Sequence, residues 1–121
     1  MKKQIGPLER GQIVRAVFDP IRGHEQSGIR PAIVLSPGWI NEYASTILVA
    51  SLTSKRTDSV SPIEALIEAP EAGLTHDSKV LLIQTRAIDK SRIISEYGMV
   101  SQETLARVDH ALAIVTGLLK S

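Results

Sequence analysis

The chain has 121 residues, 43% of them hydrophobic, with 14 Lys and Arg against 13 Asp and Glu for a net charge of +1. That length supports one domain with a single core, and the apolar content argues against disorder. The balanced charge lacks the bulk basic excess of a nucleic-acid binder, so attraction for phosphate would have to come from local placement of Arg and Lys.

The absence of Cys excludes a disulfide framework, a thiolate zinc site and a cysteine nucleophile, and a single Trp and a single Phe leave an aliphatic core. The basic start, Met1-Lys2-Lys3, leads into no apolar signal segment, and no apolar run reaches membrane-spanning length. The expectation is a soluble, cytoplasmic protein with no membrane partner. Residues 1–121 read as one domain, with 1–9 as a flexible lead-in.

In chain order, Gly11 opens the fold and residues 13–18 read as a strand whose one charge, Arg15, is tolerable on an open face. A loop rich in turn formers runs from Asp19 to Pro31, and Ala32–Ser36 reads as the second strand. Residues 37–43 break that strand and suit a short helical turn. In that turn Trp39 reads as a packing residue, with base stacking as the alternative. Thr46–Thr53 is almost wholly apolar and β-favouring, which predicts a central strand. Residues 55–59 form a polar loop, and 63–68 a weaker strand with one wet face carrying Glu64 and Glu68. A turn at 69–73 leads to a buried strand, Lys79–Ile83. Residues 87–90 read as another turn and 91–94 as a short strand.

Only the C-terminus has helical periodicity: Leu105, Val108, Leu112, Val115 and Leu119 recur at spacings of three and four. Ser101 is the expected N-cap, with Glu103 in the first turn and Lys120 in the last. Short strands plus one terminal helix predict a mainly β protein with α, a small barrel or curled sheet with a helical lid.

The loop Asp19-Pro20-Ile21-Arg22-Gly23-His24-Glu25-Gln26-Ser27-Gly28-Ile29-Arg30-Pro31 carries more than turn chemistry, since it gathers cations, a carboxylate and an imidazole. With the strand that follows it, the loop resembles the first motif of the MazF/PemK (Kid-like) toxins, the endoribonuclease halves of type II toxin–antitoxin pairs. The likeness continues in order through Val49-Ala50-Ser51-Leu52-Thr53-Ser54-Lys55, Asp77-Ser78-Lys79-Val80-Leu81-Leu82, and Gln84 to Arg92. It implies an SH3-like barrel with a short helix and a C-terminal helix. It also implies a homodimer whose groove takes RNA, a cognate antitoxin, and metal-independent cleavage of single-stranded RNA, chiefly mRNA, by 2′-hydroxyl attack.

Such cleavage needs a base, an acid and fixed positive charge or donors, and no cofactor. Asp19, Asp58, Asp77 and Asp89 sit in separate loops and read as turn residues, so no metal cluster is evident. Arg30, held beside Pro31, suits either bidentate phosphate binding or an ion pair with Glu25. The resemblance aligns it with the family's catalytic Arg. Thr53 is by itself an ordinary strand-end residue, and the resemblance aligns it with the Thr at the scissile phosphate. The same alignment assigns Glu25, Gln26, Gln84 and Arg86 to the RNA groove. Lys55 is either a backbone contact or a solvated lysine.

The chain departs from the family at Ile83, where relatives commonly carry a carboxylate, and at His24, where many carry Ser. His24 could touch phosphate or shuttle a proton, or simply flank the groove. His76 and His110 read as structural or solvated. A gyrase poison of the same fold would rely on a C-terminal Trp-Gly-Ile, whereas this chain ends Gly117-Leu118-Leu119-Lys120-Ser121. A catalytically silent binding module is the other alternative, opposed by the presence of both Arg30 and Thr53.

Overall fold

A computed structural model of the chain describes residues 5–18, 23 and 28–120. The strands are β1 (Gln12–Val17), β2 (Ile29–Val34), β3 (Thr46–Thr53), β4 (Glu64–Ile67), β5 (Ser78–Leu81), β6 (Arg86–Asp89) and β7 (Ile93–Met99). Helix α1 (Gly38–Tyr43) lies between β2 and β3, and α2 (Gln102–Val115) closes the chain. The seven strands form one antiparallel sheet ordered β4-β5-β3-β2-β1-β7, with β6 branching from β3. Among the described residues β4 and β7 do not pair, so the outcome is an open sheet with two helices, not a closed barrel.

Strand β3 organises the sheet because both of its faces are buried from Val49 to Leu52. Ala50 and Leu52 join one apolar cluster, together with Ile13, Ile33, Ile67, Val80 and Val108 of α2. Ile47 and Val49 point the other way, into a second cluster with Val14, Phe18, Val34, Ile88 and Ile93. A strand buried on both faces reads as an unbroken apolar run, which is the pattern of 46–53. Its length also lets it pair twice on one side, with β6 along Thr46–Val49 and with β5 at Leu52 and Thr53.

Several expectations are corrected. The lead-in is docked from Ile5 onward: Leu8 is buried in the second cluster, its carbonyl accepts from Asn41 Nδ2 at 2.9 Å, and the Gly6 amide meets Glu96. Strand β2 starts at Ile29, so Arg30 belongs to a strand. Pro31 is tolerated there for a geometric reason. Phe18 N donates to Gly28 O, which by alternation makes Arg15 and Pro31 a non-hydrogen-bonded pair. The nitrogen of Pro31 therefore faces away from β1, and the β2–β3 ladder starts only at Ala32.

The strand expected over 79–83 stops at Leu81 and gives way to a 3₁₀ turn, Leu82–Gln84, leaving Ile83 63% exposed. The expected turn at 87–90 is strand β6, paired with β3, and the short strand at 91–94 is the start of the longer β7. Trp39 is 68% exposed and does not pack in the core; α1 turns Asn41 inward instead. Helix α2 ends at Val115, where Gly117 takes φ +80° and its amide caps Ile114 O. Leu119 and Lys120 thus lie beyond the helix, and no cation completes its last turn. The N-terminal expectation holds, since Ser101 Oγ accepts from the Thr104 amide at 3.1 Å.

Candidate active site

The β1–β2 loop leaves the sheet at Phe18 and returns at Gly28, where the 2.9 Å bond from Phe18 N to Gly28 O closes its stem. Gly28 has φ +74°, a left-handed conformation that favours glycine. His24, Glu25, Gln26 and Asp19 lie outside the described residues. Two residues past the stem, Arg30 is half-buried on β2, opposite Ala16.

The β2–β3 register pairs Ala32 with Ser51, Ile33 with Ala50 and Val34 with Val49. Continued by two residues, the same register sets Arg30 opposite Thr53. Directly opposed residues share a face, so a guanidinium and a hydroxyl from neighbouring strands project on one side of the sheet end. Thr53 Oγ1 accepts from the Lys55 amide at 3.2 Å, which orients the hydroxyl and leaves its proton to donate outward. Lys55 itself is exposed just past the strand.

Arg86 lies on the same face, opposite Val49 through β6. Its guanidinium carbon stands 5.7 Å from the Phe18 ring centroid, and Nη1 reaches Phe18 O at 3.5 Å. Arg92 Nη1 donates to Val17 O at 3.3 Å. These two arginines grip the end of β1 where the loop departs, so Arg86 positions the loop as well as contributing charge. The register thus puts Arg30, Thr53 and Arg86 on one face of the sheet, with Arg86 reaching the end of β1. Gln84 ends the 3₁₀ turn just before β6, half-buried.

Two neighbours of Thr53 escaped sequence reasoning. Lys79 is its cross-strand partner on β5, buried, with Nζ 3.1 Å from Glu64 Oε1 and 2.8 Å from Ser59 O. It ties down the 54–62 loop that leaves Thr53. Burial alone would raise the Glu64 pKa, but hydrogen bonds from Ser61 and Lys79 and the ammonium charge hold it below the ordinary value. Ser51, two residues before Thr53 on the same face, is buried with an unpartnered Oγ. The only sequence signal for either was a polar residue inside an apolar run.

The acidic residues expected as turn formers behave so: Asp77 accepts from Ala69 N at 2.9 Å and Asp89 from Ser91 N at 2.8 Å. That bond from Ser91 holds the Asp89 carboxyl below its usual pKa. Among the described residues no group of three or more His, Asp or Glu side chains is placed to hold a metal ion. His76 Nδ1 lies 3.0 Å from Thr75 Oγ1, and His110 is exposed on α2.

Residues 9–116 match the family described as the PemK-like, MazF-like toxin of type II toxin–antitoxin systems. The chain belongs to the MazF/PemK family. MazF from Deinococcus radiodurans superposes with a TM-score of 0.81 at 30% identity, over 93% of this chain and 99% of that one. A MazE–MazF structure from the same organism gives 0.75 at 29% identity, over 95% and 100%. An endoribonuclease in complex with its cognate antitoxin, from a mycobacterial species, gives 0.77 at 22% identity, over 96% and 100%; at that identity the likeness speaks for the fold alone. The open sheet with its two helices is therefore the MazF-like fold, and the residues above are this family member's own version of the sheet end under the β1–β2 loop.

Proposed function

We propose that this MazF/PemK member is the toxin of a type II pair and a sequence-selective endoribonuclease that cuts single-stranded RNA, chiefly mRNA, without a metal. The observation that carries the reading is the cross-strand placement of Arg30 and Thr53. In the reaction, the 2′-oxygen attacks the adjacent phosphorus and the bond from phosphorus to the 5′-oxygen breaks. The 2′-hydroxyl proton is removed and the departing 5′-oxygen is protonated, giving a cyclic phosphate and a 5′-hydroxyl. Arg30 faces the non-bridging oxygens, where negative charge grows, and Thr53 donates its hydroxyl to the same phosphate. In this reading Glu25, Gln26 and His24, from the β1–β2 loop whose stem closes two residues before Arg30, contact the RNA. Lys55, Gln84 and Arg86 flank it, and single-stranded bases offer their edges to the two glutamines.

A homodimer and an antitoxin partner belong to the same reading, as does a cytoplasmic location where mRNA is met. Trp39 and Tyr43, one turn apart on α1, are 68% and 84% exposed, and Leu48 of β3 is 39% exposed. Exposed aromatic side chains of this kind suit a surface that another chain covers, which supports the reading. The D. radiodurans relative has been crystallised as a MazE–MazF complex.

The test is to incubate the protein with a long RNA of known sequence in EDTA and map the cuts. Discrete cuts with cyclic or 3′-phosphate ends are expected, lost in a folded Arg30→Ala variant. Near-normal cleavage by that variant would remove Arg30 from the mechanism, and no cleavage by the wild type would sink the ribonuclease reading.

A further inference from the structure

Beside the Arg30–Thr53 end of the sheet lies a cleft of about 270 Å³. Arg15, Arg30, Ser54, His76 and Tyr97 line it, with Leu52 among its apolar floor. The cleft brings together β1, β2, the residue just after β3, the segment leading into β5, and β7, segments far apart in sequence. No carboxylate lines it among the described residues, in a chain whose acidic and basic residues nearly balance. The nearby carboxylates are engaged elsewhere: Asp77 at the Ala69 amide, Glu71 at the start of α2, and Glu96 at Gln12 and Gly6.

Arg15 is exposed, sits between Pro31 and Ser95 across its two ladders, and makes no ion pair or hydrogen bond among the described residues. A strand arginine with no partner among the described residues, in a cleft they line without a carboxylate, suits an anionic ligand. His76 adds to this: Thr75 Oγ1 engages Nδ1, and Ser78 Oγ donates to its carbonyl, which fixes the residue at the rim. Nε2 has no hydrogen bond among the described residues. Tyr97 supplies a half-buried ring beside them, a face on which a base can stack.

We propose that this cleft is a second RNA subsite, taking a phosphodiester next to the one that is cut, with Arg15 and His76 on its phosphate and Tyr97 against its base. Arg30 borders the cleft but projects from the Thr53 face, opposite to the face that carries Arg15, so the RNA strand turns over the sheet end from Thr53 into the cleft. This rests on the ribonuclease reading. It goes beyond that reading by assigning binding to Arg15 and His76, for which the sequence offered only open-face, structural or solvated roles, and to Tyr97.

The experiment uses the full chain and RNAs built around a mapped cut site, made uncleavable by a 2′-deoxynucleotide there. The RNAs are lengthened one nucleotide at a time on each flank. In the wild type, one flank should show a step in affinity. Arg15→Gln should erase that step, weakening binding about five- to tenfold and lowering the slope of log Kd against log salt by about 0.7. His76→Gln and Tyr97→Leu should reduce the same step. Lys120→Gln, an equal charge loss outside the cleft, should leave the slope alone. Thermal melts check that the variants are folded; Arg15 has no partner to lose among the described residues.

If RNA binds and is cut, yet Arg15→Gln and His76→Gln leave every affinity and slope unchanged, the cleft takes no phosphate and the proposal is wrong while the ribonuclease reading stands. If inorganic phosphate at equal ionic strength displaces no more than chloride does, and the flank step persists in the wild type, the site belongs to the RNA strand and not to a free anion. A wild type that neither binds nor cuts RNA ends both proposals.

Discussion

Thr53 receives one hydrogen bond, from the Lys55 amide, and keeps its own proton to give. Valine keeps the shape and the strand preference but has nothing to donate. Thr53→Val should therefore cut the single-turnover rate on RNA by about a hundredfold, with a melting temperature near that of the wild type. Unfolding with intact specific activity would instead make Thr53 structural. Ser51 is the opposite case, a buried hydroxyl with no partner. An unsatisfied buried polar group costs free energy, so Ser51→Ala should stabilise the chain by about 1 kcal/mol in urea unfolding. A destabilised variant would mean that the hydroxyl has a partner in the folded protein. His24 precedes Glu25 in the sequence, six residues before Arg30. His24→Ser should slow cleavage only a few-fold and leave the pH profile unchanged, the behaviour of a groove-side contact. General acid help is worth about 10²–10⁴-fold, so a hundredfold loss with one limb of the profile gone would make His24 a proton donor or acceptor.

At the scale of elements, α2 is fastened at its start by a residue from a different turn. Glu71 accepts from the Ser101 amide and from Thr104 Oγ1, at 2.8 and 2.9 Å, while Ser101 caps the helix itself. Burial alone would raise the Glu71 pKa, but those hydrogen bonds, with Arg107 nearby, hold it below 4.5. A folded-state pKa below the unfolded one gives stability that is present above pH 4.5 and is lost as pH falls through the folded value. Glu71→Gln should cost about 1 kcal/mol at neutral pH, discounted for its partial exposure. The gap between wild type and variant in urea unfolding should close in more acidic buffer. A gap that persists there would assign the loss to packing rather than charge. The helix matters to the sheet because Val108 and Ala111 complete the cluster that also holds Leu52, the residue before Thr53.

Across the whole molecule, the two apolar clusters lie on opposite faces of β1, β2 and β3, while Trp39, Tyr43, Leu48 and Met99 remain outside them. Large side chains left on the surface favour association over a solitary chain. Sedimentation at micromolar concentration should give a mass twice the 13.1 kDa of the monomer. Trp39→Ala, which removes an exposed anchor without opening the core, should shift the equilibrium toward monomer if this face forms the dimer. A wild type that sediments only at the single-chain mass would contradict the dimer.

What the sequence determined by itself was whatever local pattern encodes: the unbroken apolar run of β3, the Ser101 cap, the turn role of Asp77 and Asp89, and the ordered motifs that name the family. These depend on neighbours within a few positions, so they survive without knowledge of the fold. Tertiary structure decided the rest. Residues 87–90 look like a turn until β3 lies alongside 86–89 to take their hydrogen bonds, and Pro31 looks like a strand breaker until the ladder shows which side lacks a partner. Trp39 looks like core until α1 spends its inward face on Asn41. Arg30 and Thr53 are 23 positions apart in the sequence, and only the β2–β3 register sets them opposite one another. Arg15 looks like an ordinary open-face strand residue until β7 and the segment before β5 close round it, because a cleft is made by segments that only folding brings together.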